Sequence, residues 1–310
     1  MKVVSIVIVN WKTPRLLAQC LDSLYKDSGS DSFEIWVVDN NSGDDSLEVL
    51  SQYEKAKNVK VIANKDNVGF SKACNQVIPG ASGQYVLLLN PDTFVQGDAV
   101  STMAQFLNAN PDVGAVGPKV LNPDGTLQLA CRRSFPSPAA SFYRLTYMSK
   151  FFPNNKEFAK YNLTYEDPDK LIEVDALSGS AMMLRKDVID QIGLMDEDIF
   201  MYGEDIDWCW RVKEAGYKVM YLPQSVVYHY HGASSRFRPI GTTINLHKGM
   251  EVFYRKHMAK KHSPVFNVLV YSAIWARCGV FLALSTAKSL LPSSKKELAK
   301  IVPQENTRVL

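Results

Sequence analysis

Residues 3–11, VVSIVIVNW, decide the fold class of this chain. The run is short, rich in β-branched residues and almost entirely apolar, which predicts a β-strand buried on both faces. Strands of that kind are typical of parallel sheets that carry helices on both sides. The run lacks the small-residue cleavage site of a secretory signal, so we interpret it as a core strand rather than a leader.

The same pattern repeats through the first half of the chain. Further strands are predicted at Phe33–Val38, Val59–Ala63, Tyr85–Leu89 and Val113–Val116. Helices are predicted between them, at Arg15–Tyr25, Ser46–Tyr53, Ser71–Ile78 and Ala99–Leu107, with Thr13 as the N-cap of the first. This alternation gives a doubly wound α/β fold, in which ligands bind beyond the carboxyl ends of the strands.

Several common enzyme motifs are missing from the chain. It contains no GxGxxG, no GK[ST] phosphate loop, no HExxH and no GxSxG. Their absence argues against a nicotinamide-dependent dehydrogenase, a P-loop NTPase, a zinc protease and a serine hydrolase.

Composition and charge narrow the class further. The 310 residues are 46% apolar, which suits one large or two modest globular domains. The five cysteines are widely spaced and form no CxxC pair, so we expect a reducing compartment and no disulfide framework. Residues 255–310 carry a net charge of +8 and the remainder −5. A basic tail is typical of binding to a membrane or a nucleic acid, or is simply solvated.

The second half of the chain is less regular. Residues 131–168 are rich in proline and aromatic residues and predict an irregular excursion, either a linker or a binding loop. Regular structure is predicted again at Asp175–Leu184, Lys186–Ile192, Glu204–Ala215, Lys218–Leu222 and Val226–Tyr230.

Residues 265–284, VFNVLVYSAIWARCGVFLAL, form an apolar run in which Arg277 carries the one charge. Twenty apolar residues are long enough to cross a bilayer, but an arginine near the bilayer centre is unfavourable by about 2.5–3.5 kcal/mol. Lysines flank the run on both sides, which favours a segment that lies in an anionic leaflet without crossing it. A spanning helix and an ordinary buried helix remain alternatives.

Acidic residues and histidines mark the candidate chemistry. Asp92 follows a predicted strand, and Glu204, Asp205 and Asp207 open a predicted helix. Neighbouring carboxylates repel, which raises a pKa toward the range of a general base. His229 and His231 alternate at the end of a strand, so they share one face of it. An imidazole together with a carboxylate suits Mg²⁺ or Mn²⁺ with a phosphate ligand.

Taken together, these stretches resemble the inverting glycosyltransferases of family 2, which have the GT-A fold, over about residues 3–235. Within this family the chain most resembles the bacterial rhamnosyltransferases of O-antigen, capsule and cell-wall polysaccharide synthesis. The motifs that carry the resemblance are SIVIVNW (5–11), VVDNNS (37–42), NVGF (67–70), LNPDT (89–93), SG (178–179) and YGEDID (202–207).

The resemblance implies roles for individual residues. It assigns Asp205 as the general base, with Glu204 beside it, and Asp92 and His229 as ligands of Mg²⁺ or Mn²⁺. Contacts to the donor nucleotide fall on Asn10, Asp39, Asn41, Asn67, Gly69, Phe70 and Asn90. The resemblance further implies contacts to phosphate or acceptor at His231, Arg132, Arg133, Gly179 and Asp207. The family's DxD motif reads Asn90-Pro91-Asp92 here, so one of its two carboxylates is missing.

The activity expected from this resemblance is transfer of a sugar, namely rhamnose from dTDP-rhamnose, to a hydroxyl of a lipid-linked glycan. The expected partners are a nucleotide-sugar donor, a polyprenyl-diphosphate acceptor and an anionic membrane surface, and not a nucleic acid. We expect a GT-A catalytic domain at residues 1–235 and a helical, membrane-associating extension at 236–310. The enzyme is expected to lie on the cytoplasmic face of the inner membrane.

Two other functions remain open from the residues. A metal-dependent nucleotidyltransferase would need an early basic glycine-rich loop, and residues 10–14 offer Lys12 but no glycine. A non-catalytic membrane scaffold would be expected to lack Asp92 or Asp205, and both are present.

Overall fold

The structure is a computed structural model and describes residues 3–57, 59–230, 232 and 239–290. The chain divides into two compact units, residues 1–236 and residues 237–310. We describe each unit by itself.

The first half of unit 1 alternates strands and helices, as the sequence predicts. Its strands are β1 (Val4–Asn10), β2 (Phe33–Asp39), β3 (Lys60–Ala63), β4 (Tyr85–Leu89), β5 (Thr93–Gln96) and β6 (Val113–Leu121). Its helices are α1 (Pro14–Leu24), α2 (Ser46–Lys57), α3 (Phe70–Asn75) and α4 (Ala99–Ala109). Every residue of β1 is buried, and burying each of its valine and isoleucine side chains stabilises the fold by about 1.5–3 kcal/mol.

The second half of unit 1 adds shorter strands and the helix that carries the acidic cluster. Its strands are β7 (Arg132–Arg133), β8 (Ile172–Glu173), β9 (Ala176–Leu177), β10 (Ala181–Arg185) and β11 (Lys218–His229). Its helices are α5 (Pro138–Leu145), α6 (Met148–Phe151), α7 (Lys186–Ile192) and α8 (Glu204–Glu214).

Among the described residues the main sheet has nine strands, in the order β3-β2-β1-β4-β10-β6-β11-β5, with β8 paired to β11. The strands β3, β2, β1 and β4 run parallel to one another, whereas β10 runs antiparallel to both β4 and β6. A smaller antiparallel ribbon joins β7 to β9. The sheet is therefore mixed, and the carboxyl ends of β1, β2 and β4 meet at one edge.

Two predicted strands and one predicted helix are corrected by the structure. Lys218–Leu222 and Val226–Tyr230 form one strand, β11, whose register against β6 shifts between Leu222 and Val226. The shift brackets Pro223, which has no N–H to donate to a ladder. The helix predicted to reach Ile78 ends at Asn75, and residues 78–80 form a 3₁₀ turn. Pro79 explains that change, because it disfavours α-helical geometry in the residue before it.

Thr13 is the N-cap residue of α1 and Pro14 follows it, as predicted, although the Thr13 hydroxyl donates to Asn10 Oδ1 at 2.8 Å and does not bond to the helix. Two other local predictions needed correction. The segment Asp175–Leu184 is not one element, because it pairs first with β7 and then with β4. The excursion at 131–168 contains the helix α5, whose N-cap Ser137 accepts a hydrogen bond from the N–H of Ala140.

Unit 2 is helical in its described part. It contains α9 (Pro239–Phe253), a π turn and a 3₁₀ turn, and α10 (Pro264–Leu290). Within the described residues, the stretch Pro264–Ser285 of α10 is long and apolar enough to cross a membrane by length and composition. Arg277 has a partner that the sequence did not reveal: its Nη1 lies 2.9 Å from His247 Nε2. Its charge therefore faces a neighbouring helix, which weakens the sequence-based objection to membrane insertion.

Candidate active site

Asp39 ends β2 beside Asn10, which ends β1, and the two residues are paired in register. Asn10 Nδ2 donates to Asp39 Oδ1 at 2.9 Å. Ser42 donates to Asp39 through its hydroxyl at 2.5 Å and through its backbone N–H at 3.0 Å. The Asp39 side chain is buried, and three donors hold its carboxylate in one orientation. A carboxylate fixed in this way is suited to accept hydrogen bonds from a nucleobase or ribose.

The asparagines after β2 point in different directions. Asn41 is exposed and adopts a left-handed conformation with φ of 60°, which asparagine tolerates better than most residues. Asn40 is buried and donates to Asn67 Oδ1 at 3.2 Å and to the carbonyl of Gly69 at 3.1 Å. Sequence reasoning missed Asn40, which joins the turn after β2 to the turn before α3.

The turn at residues 67–70 requires its glycine. Gly69 has φ of +89°, and a Cβ there would lie 2.7 Å from the carbonyl oxygen of Phe200. The N–H of Phe70 donates to that same oxygen at 2.7 Å. Asn67 is turned inward, because its Oδ1 accepts from Asn40 and from the N–H of Gly69. This turn therefore holds the segment that leads into the acidic cluster.

Asp92 and His229 are brought together from strands far apart in sequence. His229 Nε2 lies 3.1 Å from Asp92 Oδ1 and 3.3 Å from Asn90 Nδ2, and both Asp92 and His229 are buried. Gln128, which sequence reasoning missed, lies with Oε1 2.9 Å from His229 Nδ1 and donates through Nε2 to the carbonyl of His229. No sequence signal marked Gln128, which is 101 residues from its partner.

The contacts of Gln128 decide the orientation of the imidazole. Because the amide nitrogen of Gln128 donates to the His229 carbonyl, the Gln128 amide oxygen faces Nδ1 and holds that side of the ring. Nε2 then points toward the carboxylate of Asp92, and a ring nitrogen and a carboxylate oxygen 3.1 Å apart can both contact one cation. A hydrogen-bonded second nitrogen is also the usual setting of a metal-bound histidine. The pair fits a divalent cation, although the described residues contain no cluster of three His, Cys, Asp or Glu side chains that would hold one alone.

The acidic cluster begins α8 after a tight turn, in which Tyr202 and Gly203 have φ of 72° and 105°. Asp205 Oδ2 accepts from Arg133 Nη2 at 2.6 Å and from the N–H of Gly179 at 3.0 Å. The Asp205 carboxylate is therefore held between a guanidinium and a backbone donor. The other carboxylate oxygen, Oδ1, accepts from the N–H of Ile206 at 2.8 Å.

Glu204 lies beside Asp205 and is buried, and its Oε2 has no hydrogen-bond partner among the described residues. Burial, and then the charge of Asp205, raise the pKa of the Glu204 carboxyl from 4.5 to about 8. A lone buried carboxylate is strongly unfavourable unless it is paired. Glu204 therefore keeps its proton at neutral pH, and the raised pKa that the sequence predicts for one carboxyl of this cluster belongs to Glu204.

Arg132 and Asp207 have other partners in the structure. Arg132 is buried and donates to the backbone carbonyls of Asp167 at 2.8 Å and Glu166 at 2.7 Å. Asp207 accepts from Arg211 through both Nε and Nη2, at 2.9 and 2.7 Å. These contacts give both side chains a supporting position, and their predicted contacts to phosphate or acceptor stay predictions. His231 lies outside the described residues.

The turn at residues 178–180 joins the two candidate centres. The carbonyl of Ser180 accepts from the N–H of Asn90 at 2.9 Å, and the N–H of Gly179 donates to Asp205. One short turn therefore touches both the strand end that leads to Asp92 and the carboxylate of Asp205.

Solved structures with a similar fold identify the fold of this chain. GalNAc-T7 with UDP, GalNAc and Mn²⁺ matches with a TM-score of 0.56 at 18% identity, over 74% of this chain and 44% of that chain. The mannosyltransferase PcManGT of Pyrobaculum calidifontis, with GDP-Man and Mn²⁺, matches with a TM-score of 0.55 at 16% identity, over 96% of this chain and 79% of that one. The chain thus spans less than half the length of GalNAc-T7. The fold is the GT-A glycosyltransferase fold, which confirms the predicted fold class.

The family follows from the sequence. The family model described as glycosyl transferase family 2 matches residues 5–193, and the chain belongs to this family. A relative in Mycobacterium tuberculosis, an N-acetylglucosaminyl-diphospho-decaprenol L-rhamnosyltransferase, is 27% identical over 240 residues, covering 74% of this chain and 75% of the relative. An O-antigen biosynthesis protein of Myxococcus xanthus is 28% identical over 240 residues, covering 75% of this chain and 18% of the relative. The predicted resemblance is confirmed, and the chain is a glycosyltransferase related to enzymes of polysaccharide biosynthesis.

Proposed function

We propose that this glycosyltransferase moves rhamnose from dTDP-rhamnose to a hydroxyl of a lipid-linked glycan, with inversion at the anomeric carbon. The observation that carries the proposal is the turn at residues 178–180, which contacts both the strand end before Asp92 and the carboxylate of Asp205. On this proposal one short turn of backbone links the site of the leaving diphosphate to the site of the general base.

The nucleotide is proposed to bind at the carboxyl ends of β1 and β2. Asp39 is held by Asn10 and Ser42, and its outward lone pairs are suited to the N–H groups of a base or the hydroxyls of a ribose. Nucleotide sites at such strand ends are common in open α/β sheets.

Asp92 and His229 would hold Mg²⁺ or Mn²⁺, with further ligands from the donor diphosphate. The metal would neutralise the negative charge that develops on the leaving diphosphate. Gln128 supports this role because it fixes the His229 ring with Nε2 toward Asp92. With Asn90 in place of a first carboxylate, the chain itself brings one negative charge to the cation.

Asp205 is proposed as the general base. The acceptor hydroxyl gives its proton to the Asp205 carboxylate while its oxygen forms the bond to the anomeric carbon. The bond between that carbon and the diphosphate breaks, and its electron pair leaves with the diphosphate. Attack from the face opposite the leaving group inverts the configuration, and no covalent enzyme intermediate is needed.

The neutral state of Glu204 supports this assignment. If Glu204 is protonated at neutral pH, it cannot compete for the acceptor's proton, whereas Asp205 is paired with Arg133 as a carboxylate. Of the two neighbouring acids, the one paired with a guanidinium is the better candidate for the base.

A lipid-linked acceptor and a membrane location are proposed together. The M. tuberculosis relative is named for a decaprenol-diphosphate substrate, and α10 offers a long apolar helix preceded by Lys256, Lys260 and Lys261. Each lysine near an anionic leaflet contributes about 1 kcal/mol of binding. We place the enzyme on the cytoplasmic face of the inner membrane, bound through residues 236–310 without a required crossing.

The experiment that tests the proposal is a donor panel. The full chain is incubated with Mg²⁺ or Mn²⁺, a polyprenyl-diphosphate N-acetylglucosamine acceptor, and dTDP-rhamnose, UDP-glucose or GDP-mannose in separate reactions. The proposal expects a glycolipid product with dTDP-rhamnose whose new linkage has inverted configuration. Transfer from another donor alone would contradict the choice of rhamnose, and retained configuration would contradict the mechanism.

A further inference from the structure

Aromatic side chains are concentrated on the surface of residues 136–160, which we call the aromatic loop. Phe142, Tyr147, Phe151 and Phe152 are each more than half exposed, and Phe151 is 75% exposed. Soluble proteins seldom leave several large apolar side chains in contact with water over so short a stretch without a use for them. The loop contains α5, α6 and the turn between them.

The exposed rings are held on an ordered base. Tyr143 and Phe158 pack edge to face with ring centroids 5.0 Å apart, and Phe152 lies 5.7 Å from Phe158. Tyr147, between the two helices, adopts a left-handed conformation with φ of 59°. That conformation is uncommon for a bulky residue and is maintained where the surrounding structure imposes it. The outward rings are therefore presented by a fixed scaffold.

The root of the aromatic loop adjoins the candidate general base. Arg133, just before the loop, donates to Asp205 at 2.6 Å. Ser134 follows it and donates through its N–H to the carbonyl of Tyr161 at 2.9 Å, which closes the loop on itself. The aromatic loop is therefore connected to Asp205 through a short hydrogen-bonded stretch of chain. A partner bound at the tip of the loop would lie at a defined position relative to Asp205.

The charge of the loop indicates the kind of partner. Arg144, Lys150, Lys156 and Lys160 are all exposed, and Glu157 is the one acid in the loop, giving a net charge of +3. The rest of residues 1–254 is acidic overall, so the positive charge here is local. Exposed phenylalanine and tyrosine with flanking lysine and arginine match the chemistry of an anionic lipid interface. A second copy of the loop would bring positive charge against positive charge.

We propose that the aromatic loop is a membrane anchor within the catalytic unit, separate from α10, and that it docks on an anionic lipid surface. Its rings enter the interfacial region while its lysines face the lipid phosphates. Docking at this point turns the Asp205 side of the site toward the bilayer, and this last consequence rests on the proposed lipid-linked acceptor.

The test measures insertion at single positions in the full chain. Phe151→Trp and a matched control, Leu47→Trp, are each mixed with vesicles of 70% phosphatidylcholine and 30% phosphatidylglycerol that carry bromine on the acyl chains. Leu47 is a suitable control because it is also an exposed apolar residue of unit 1, on α2. The signal is the quenching of fluorescence beyond that of the native tryptophans. We expect added quenching for Phe151→Trp and none for Leu47→Trp.

Vesicle affinity gives an independent readout. Tyr147→Glu with Phe151→Glu is expected to lower vesicle affinity about tenfold or more, since two rings lose their apolar burial. Leu47→Glu should leave the affinity unchanged. Transfer to a short soluble acceptor should be the same in both variants, so failure of the proposed activity is seen separately from failure of docking. Equal quenching for the two tryptophan variants, no binding to vesicles, or a concentration-dependent dimer abolished by Tyr147→Glu with Phe151→Glu would overturn the proposal.

Discussion

Replacing Glu204 with glutamine should make stability less dependent on pH. In the folded chain, burial and the charge of Asp205 raise the pKa of this carboxyl to about 8 from its ordinary value of 4.5. Between those values the native state holds a proton that the unfolded chain has released, so stability falls as pH rises through this window. Glu204→Gln keeps the size of the side chain and cannot ionise, and this contribution disappears.

The size of the effect follows from the pKa shift. One pKa unit corresponds to about 1.36 kcal/mol. Ionisation of Glu204 therefore lowers the free energy of unfolding of the wild-type chain by about 3 kcal/mol between about pH 5.5 and about pH 8.5. For a unit of this size, about 1 kcal/mol corresponds to about 2–4 °C in melting temperature. The melting temperature of Glu204→Gln, relative to wild type, should therefore rise by about 6–12 °C between the two pH values.

The assay is a thermal melt of each full-length variant at both pH values, without nucleotide. Glu214→Gln is the matched control, because Glu214 is an exposed glutamate at the other end of α8. That control should differ from wild type equally at both pH values. In an Asp205→Asn background the pH-dependent rise in melting temperature caused by Glu204→Gln should be smaller, because the charge of Asp205 no longer raises the pKa of Glu204. A difference between Glu204→Gln and wild type that does not change with pH would refute the reasoning.

Two further predictions concern the candidate metal site and the turn before α3. Asp92→Ala should weaken the binding of Mn²⁺ with a nucleoside diphosphate at least tenfold, and His229→Ala should weaken it less. Calorimetric titration measures both affinities, and an unchanged affinity in Asp92→Ala would show that Asp92 is not a metal ligand. Gly69→Ala should lower the free energy of unfolding by about 2–4 kcal/mol, because the positive φ of this residue disfavours a side chain and the new Cβ meets the backbone of Phe200. Urea denaturation measures the free energy of unfolding, and an unchanged value would show that the turn relaxes to accept the side chain.

The first half of the fold was predictable because its signals are local. The strand β4 is a continuous apolar run with the same bounds in sequence and structure, and the helix α4 begins at Ala99, as the sequence predicted. The continuity of β11 was not predictable, because a proline such as Pro223 commonly ends a strand. The pairing of β11 with β6 on both sides of Pro223 shows that the strand continues. Long-range pairing decides such cases, and a single sequence does not contain it.

The candidate site shows the same contrast between local signals, which the sequence contains, and long-range contacts, which it does not. Acidic residues at the end of a strand or the start of a helix are visible in sequence, so Asp39, Asp92 and Asp205 could be predicted as site residues. Their partners come from distant segments: Gln128 holds His229 across 101 residues, and Arg133 holds Asp205 across 72. The proton of Glu204 was also out of reach, because it depends on burial and on a carboxylate neighbour in three dimensions. Sequence reasoning identified residue types, whereas the contacts that tune them required the fold.

The role of Asp205 as the base in sugar transfer is tested most directly by comparing Asp205→Asn with Asp207→Asn. Both remove one acid from the same turn of α8, but Asp207 is paired with Arg211 and Asp205 with Arg133. The measurement is the transfer rate at saturating donor and acceptor, with nucleotide-sugar affinity determined on the same samples. We predict that Asp205→Asn loses about 10²–10⁴-fold in rate with donor affinity retained, while Asp207→Asn stays within a few-fold of wild type. A rate near that of wild type in Asp205→Asn would contradict it.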